Sequence, residues 1–141
     1  MNDSPIQNIP AAIAAIDADA AEINFGQPSD NLTGAFLRTI VASKPAGHFL
    51  ELGTGAGRAT AWILEGMSHN STLISVESDP TLIAIAQTQL GHDTRLQLIC
   101  SRGEEVILGL LPSSQFDVIF ADTWPGKYNH LEETLSLRLF S

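Results

Sequence analysis

Four short runs of branched and apolar residues, His48–Leu52, Thr72–Glu77, Arg95–Cys100 and Asp117–Ala121, alternate with stretches of helical patterning. The intervals are too short for anything but tight βα units, and strands joined in that way run parallel with right-handed crossovers. The helical stretches extend from about Arg58 to Met67, from Pro80 to Leu90 and from Glu104 to Leu111. Asp79 as N-cap, Pro80 at the first position and Gly91 past the end bound the second of them. Ser101 and Glu104 form a capping-box pattern for the third, which stops before Pro112. Arg95–Cys100 alternates polar and apolar residues, as an edge strand does, whereas Val118–Ala121 is apolar throughout, the pattern of a strand covered on both faces and flanked by neighbours.

Two further helices are expected upstream. Ile13, Ile16, Ala20 and Ile23 recur at helical spacing before Gly26 and Pro28, and a second stretch from Ser29 or Asp30 sets Leu32, Phe36 and Ile40 along one stripe before Pro45. The expectation is one domain over residues 1–141, with N-terminal helices in 1–45 and a βα core in 46–141. Its fold class is α/β, a Rossmann-like three-layer sandwich around a mostly parallel sheet of order 3-2-1-4. Trp62 is expected to pack the first βα helix onto the sheet or onto the N-terminal helices.

Composition narrows the partners. Sixteen acidic against seven basic residues give a formal net charge of -9, which argues against a grip on nucleic-acid phosphates. A single cysteine, Cys100, forms no internal disulfide and points to a reducing cytoplasm, where it is expected as a small buried residue. No Lys or Arg precedes Arg38 and no apolar run approaches the roughly 20 residues of a membrane span, so neither a targeting segment nor a membrane partner is expected. The four histidines are too scattered for a zinc site; His69 and His92 are expected on the surface.

Glu51-Leu52-Gly53-Thr54-Gly55-Ala56-Gly57 falls where the first strand meets its helix, the place at which an open α/β sheet binds ligands. Glycines there allow positive φ and close approach, and the helix N-terminus offers N–H groups to an anion. Any tight βα turn can use glycine, so the motif alone leaves a purely structural role open. Glu77, 24 positions after Gly53, ends the second strand. A carboxylate there either accepts hydrogen bonds from both ribose hydroxyls of a nucleoside ligand or is simply a solvated acid at a strand end. Arg58 stands where a dinucleotide fingerprint carries its third glycine, which disfavours a nicotinamide cofactor. Glu51 closes a strand that should end apolar, and its carboxylate can receive a cationic ammonium group.

Glu51-Leu-Gly-Thr-Gly-Ala-Gly57 followed by Glu77 resembles motif I and the acidic ribose-binding residue of class I S-adenosylmethionine-dependent methyltransferases. Phe116–Tyr128, with Asp122-Thr123-Trp124-Pro125-Gly126-Lys127 at its centre, is similar to the fourth strand and following turn of the catechol and caffeoyl-CoA O-methyltransferase-like group. The resemblance implies methyl transfer from S-adenosylmethionine to a hydroxyl of a small-molecule acceptor. It places Glu51, Gly53, Thr54, Gly55 and Gly57 against the methionine part, Glu77 on the ribose, Trp124 near the adenine and Asp122 on the cofactor side as first ligand of a divalent cation such as Mg²⁺.

Three departures bear on that implication. The place of the family's general-base lysine, three after Asp122, is Pro125, which leaves Lys127 as the candidate catalytic base. A hydroxyl expected at Ala59 is absent, which leaves either Thr60 or the backbone N–H groups to hold the cofactor carboxylate. The family's last strands and their metal ligands do not follow Leu137, so a truncated, catalytically incomplete fragment that binds cofactor or only dimerises is an open alternative. A homodimer covering the fourth-strand edge would serve that case. A nucleotide-binding oxidoreductase is the other alternative.

Overall fold

The protein is described by a computed structural model that covers residues 8–25, 30–103, 105–106 and 116–121. Two helices, α1 (Ile13–Glu22) and α2 (Asn31–Ala42), precede β1 (His48–Leu52), α3 (Arg58–Gly66), β2 (Thr72–Glu77), α4 (Pro80–Leu90), β3 (Leu96–Cys100) and β4 (Val118–Ala121). The sheet is parallel in every pairing and has the order β3-β2-β1-β4. This is the Rossmann-like arrangement expected. The chain leaves β1 toward β2 and β3, then returns to place β4 on the other side of β1. That reversal makes the carboxyl end of β1 the switch point of the sheet, where a crevice opens between diverging connections.

Side-chain alternation sorts the strands between two cores. Phe49 and Leu73 join Ile16, Val41, Trp62, Ile63 and Leu90 on the helix-covered face. Leu50, Leu52 and Val76 face the other way and pack with Phe116, Ile99 and Val106. β4 contributes to both, Val118 and Phe120 to the first and Ile119 and Ala121 to the second, and all four residues are half-buried. Among the described residues β4 pairs with β1 alone, which is why its apolar sequence does not give full burial.

The local signals act as the residues dictate. Asp30 accepts from Thr33 N at 2.6 Å and Asp79 from Thr81 N at 2.9 Å, capping α2 and α4. α1 buries Ile13, Ile16 and Ala20 as its spacing requires, while Ile23 lies past the last turn and is exposed. α2 departs from the expected stripe. Leu32 and Phe36 are 60% and 64% exposed, and Gly34 and Val41 form the buried face. Gly34 sits against the indole of Trp62, so the helix that approaches α3 does so over its smallest residue. Arg38, one turn on, stacks its guanidinium 4.7 Å from the same ring. Trp62 thus packs α3 against α2.

Cys100 is exposed, contrary to expectation; it is the last residue of the edge strand β3, beyond the reach of the helical layer. His69 and His92 are exposed. Ser101 Oγ donates to Glu105 Oε2 at 3.0 Å; Glu104, the other half of the expected capping box, lies outside the described residues.

Candidate active site

The turn after β1 takes its shape from three glycines with φ of +101° at Gly53, +58° at Gly55 and +108° at Gly57. Side chains other than glycine strain at such angles. Gly57 also has no room to spare, because a Cβ there would come within 3.1 Å of Ala86 Cβ and Leu90 Cδ1 on α4. The first half of the turn is tied to β2: Gly53 N and Thr54 N both donate to Val76 O, at 2.8 and 3.0 Å. Its second half closes by Gly57 N donating to Thr54 O at 3.0 Å and leads into α3, whose first intrahelical bond is Ala61 N to Gly57 O. The N-terminus of α3 therefore opens at the crevice end of the sheet, and the positive end of its helix dipole lies there.

Glu77 reaches this turn from the end of β2. Its Oε1 accepts from Gly55 N at 2.8 Å and its Oε2 from Asp79 N at 3.0 Å. Each oxygen keeps a second lone pair, so the half-buried carboxylate is oriented by the backbone and retains acceptor capacity for a ligand's hydroxyls.

Glu51 has a different environment. It is 3% exposed and lies on the helix-covered face of β1, where its Oε1 accepts from Thr60 Oγ1 and Ser75 Oγ, both at 2.6 Å. Ser75 is its register partner on β2 and is itself bonded to Thr54 Oγ1 at 2.6 Å. Thr54, Ser75, Glu51 and Thr60 form a buried chain of polar groups that joins the glycine turn to both strands and to α3. Thr60, fully buried, gives its proton to Glu51, which removes it as the donor expected for a cofactor carboxylate. A buried polar group needs such partners.

The structure thus brings Glu51, Gly53, Thr54, Gly55, Gly57 and Glu77 together at the carboxyl ends of β1 and β2. Asp122, Trp124 and Lys127 lie outside the described residues. Among the described residues no group of three or more His, Cys, Asp or Glu is placed to hold a metal ion, and no helix is long and apolar enough to cross a membrane. Sequence reasoning missed Ser75, whose signal was a hydroxyl in the middle of the otherwise apolar run Leu73–Val76. It also missed the pairing of Arg58 with Asp17, which carries no short-range signal.

Comparison with known proteins places this geometry in a family. Residues 50–136 match the model of a methyltransferase domain, and the chain belongs to that family. A protein of Mycolicibacterium vanbaalenii, whose own assignment as an O-methyltransferase is unproven, is 31% identical over 124 residues, covering 85% of this chain and 54% of the relative. The chain spans about half the length of the curated relatives it matches. The fold is shared with the O-methyltransferase TomG of Streptomyces achromogenes, solved with S-adenosylmethionine (TM-score 0.84, 18% identity, 96% of this chain and 64% of that one). It is shared equally with a Bacillus cereus O-methyltransferase solved with S-adenosylhomocysteine (TM-score 0.81, 19% identity, 96% and 64%).

Proposed function

We propose that this chain binds S-adenosylmethionine at the glycine turn and takes part in methyl transfer to a hydroxyl oxygen of a small molecule. The observation that carries the proposal is the juxtaposition of Gly53–Gly57 at the β1/β4 switch point with Glu77, whose two oxygens are fixed by Gly55 N and Asp79 N. When bound, the sulfonium supplies an electrophilic methyl group, which leaves sulfur as the acceptor oxygen attacks in line, while the hydroxyl proton passes to a base. The protein's share of such a displacement is chiefly orientation. Glu77 accepts from the ribose hydroxyls, the glycines admit the ligand against bare backbone, and the opening N–H groups of α3 face its carboxylate. Glu51, already held by two hydroxyls, provides negative charge beneath the turn for the ammonium group.

The resemblance assigns the remaining roles. Asp122 would ligate a divalent cation through oxygen, Trp124 would lie by the adenine, and Lys127 is the candidate base.

Calorimetric titration of the chain with S-adenosylhomocysteine tests the cofactor site. Micromolar binding that is lost in Glu77→Ala supports it; a folded chain that binds nothing overturns it. Transfer of a labelled methyl group to catechol-like acceptors, with and without Mg²⁺, tests the reaction. Binding without transfer would leave the chain as the cofactor-binding portion of the activity.

A further inference from the structure

The glycine turn is held from outside the βα core by the N-terminal helix, through residues that belong to no motif. Arg58 opens α3 directly after Gly57, and its guanidinium reaches across to α1, Nε to Asp17 Oδ1 at 3.0 Å and Nη2 to Asp17 Oδ2 at 3.5 Å. The Arg58 side chain is 13% exposed, so the contact is shielded on the arginine side. Two residues along α1, Asp19 Oδ2 accepts from Gln89 Nε2 of α4 at 3.0 Å. Ile13, Ile16 and Ala20 attach α1 to the core, but apolar contact is non-directional; the two carboxylates set where along α3 and α4 the helix rests. Past its end the chain turns back, with Phe25 N donating to Ala20 O at 2.9 Å. The Phe25 ring then stands over the side of Gly55 where a side chain would project, at ordinary contact distance from a Cβ built there, 3.5 Å from Cζ and 3.7 Å from Cε2. Gly55 is held at its N–H by Glu77 and faces the Phe25 ring across a space that one methyl group would fill.

We propose that α1 is a brace for the cofactor turn. Asp17 and Arg58 fix the helix so that Phe25 closes on Gly55, and these three are positioning residues that set cofactor affinity by ordering the turn before the ligand arrives. The place where a dinucleotide fingerprint would carry glycine is occupied by Arg58 because its side chain makes this contact. Glycine loses more freedom than any other residue when it is ordered, so a turn with three of them binds more tightly when folding has already fixed it. The affinity part of the proposal rests on the reading of Gly53–Gly57 as the S-adenosylmethionine site.

Backbone amide exchange of the ligand-free chain separates the two ideas. In Asp17→Asn and Phe25→Ala the Gly55 amide should exchange roughly tenfold faster, the equivalent of about 1.4 kcal/mol, while the Leu50 and Leu73 amides in the central strands stay protected. The charge-swapped pair Asp17→Arg with Arg58→Asp should return the rate toward wild type. Glu22→Ala, which removes an exposed carboxylate from the same helix, should change nothing. S-adenosylhomocysteine should bind the first two variants several-fold more weakly and the swapped pair nearly as well as wild type. Unchanged Gly55 exchange in both variants overturns the brace. Changed exchange with unchanged affinity overturns its role in binding, and a wild-type chain that shows the exchange response but binds no S-adenosylhomocysteine overturns the cofactor reading while leaving the brace.

Discussion

Ser75 stands opposite Glu51 in the β1–β2 register and donates its hydroxyl proton to Oε1 at 2.6 Å. Ser75 is fully buried and Glu51 nearly so, so neither group falls back on water if the other is removed. Ser75→Ala leaves the carboxylate short of a donor and Thr54 Oγ1 without its acceptor. Leaving a buried donor or acceptor unsatisfied costs roughly 1–3 kcal/mol. Urea unfolding should show the unfolding free energy falling by that amount, as a lower midpoint at an unchanged slope; a loss under about 0.5 kcal/mol would mean that another donor takes up the freed Glu51 oxygen.

The sheet and the turn were legible because their causes are local. Apolar runs separated by Gly and Pro mark strands wherever they pair, and Gly53, Gly55 and Gly57 with Glu51 and Glu77 are fixed by the spacing of two strand ends. What could not be read depends on distant partners. Arg58 meets Asp17 across 41 positions and Ser75 meets Glu51 across 24, and no periodicity carries such pairings. The α2 face was misleading for a physical reason: a pattern reading weights large apolar residues, whereas contact with Trp62 is made by the absence of a side chain at Gly34. Cys100 misled similarly, since its residue type favours burial and its edge-strand position does not provide it.

Asp93 and Arg95 make stability depend on pH in the acid range. The Arg95 side chain, bonded to Asp93 at 2.6 and 2.9 Å, holds the carboxyl below the ordinary range, against an opposing effect of burial. A lowered folded-state pKa gives stability that is present in full above the unfolded value and lost as pH falls through the folded one. With both side chains about one-fifth exposed, the contribution is about 1 kcal/mol. Asp93→Asn should be less stable than wild type by that amount at pH 7, and the difference should begin to shrink below about pH 4 and close as pH falls through the lowered value of the folded state. A difference constant down to pH 2 would show that the bond acts through shape and not charge.

Ala46 adopts φ +59° in the turn before β1, a left-handed conformation that costs a residue with a Cβ roughly 1–2 kcal/mol. Glycine escapes that cost but gives the unfolded chain about 0.4–1 kcal/mol of added entropy. The first effect is larger, so Ala46→Gly should raise stability by about 0.5–1 kcal/mol, and Tm by several degrees. The Ala46 N–H to Ser68 Oγ bond, 2.8 Å long, survives the change. A lower Tm would mean that the turn relaxes to negative φ in solution.

The close approach of α2 to Trp62 of α3 can be tested in a cycle of two substitutions. Alanine at an exposed helical site is about 1 kcal/mol better than glycine, so Gly34→Ala would stabilise α2 if only propensity acted. A Cβ at Gly34, however, would collide with Cδ1, Nε1 and Cε2 of Trp62, a ring with 0% exposure that has Arg38 stacked on it. Overpacking of this kind costs roughly 1–3 kcal/mol, and Gly34→Ala should be destabilising on balance. The atoms struck belong to the five-membered ring, the part of the indole next to Cβ; Trp62→Phe would leave a ring in its place, whereas Trp62→Ala removes it. The same substitution removes an indole N–H that is buried without a hydrogen-bond partner among the described residues, which offsets part of the packing lost. Gly34→Ala should therefore cost at least about 1 kcal/mol less in the Trp62→Ala background than in wild type, a coupling within the range of residues in contact. Additive effects in chemical denaturation would show that α2 shifts away from α3 to admit the methyl group, and that the contact at Gly34 does not fix the spacing of the two helices.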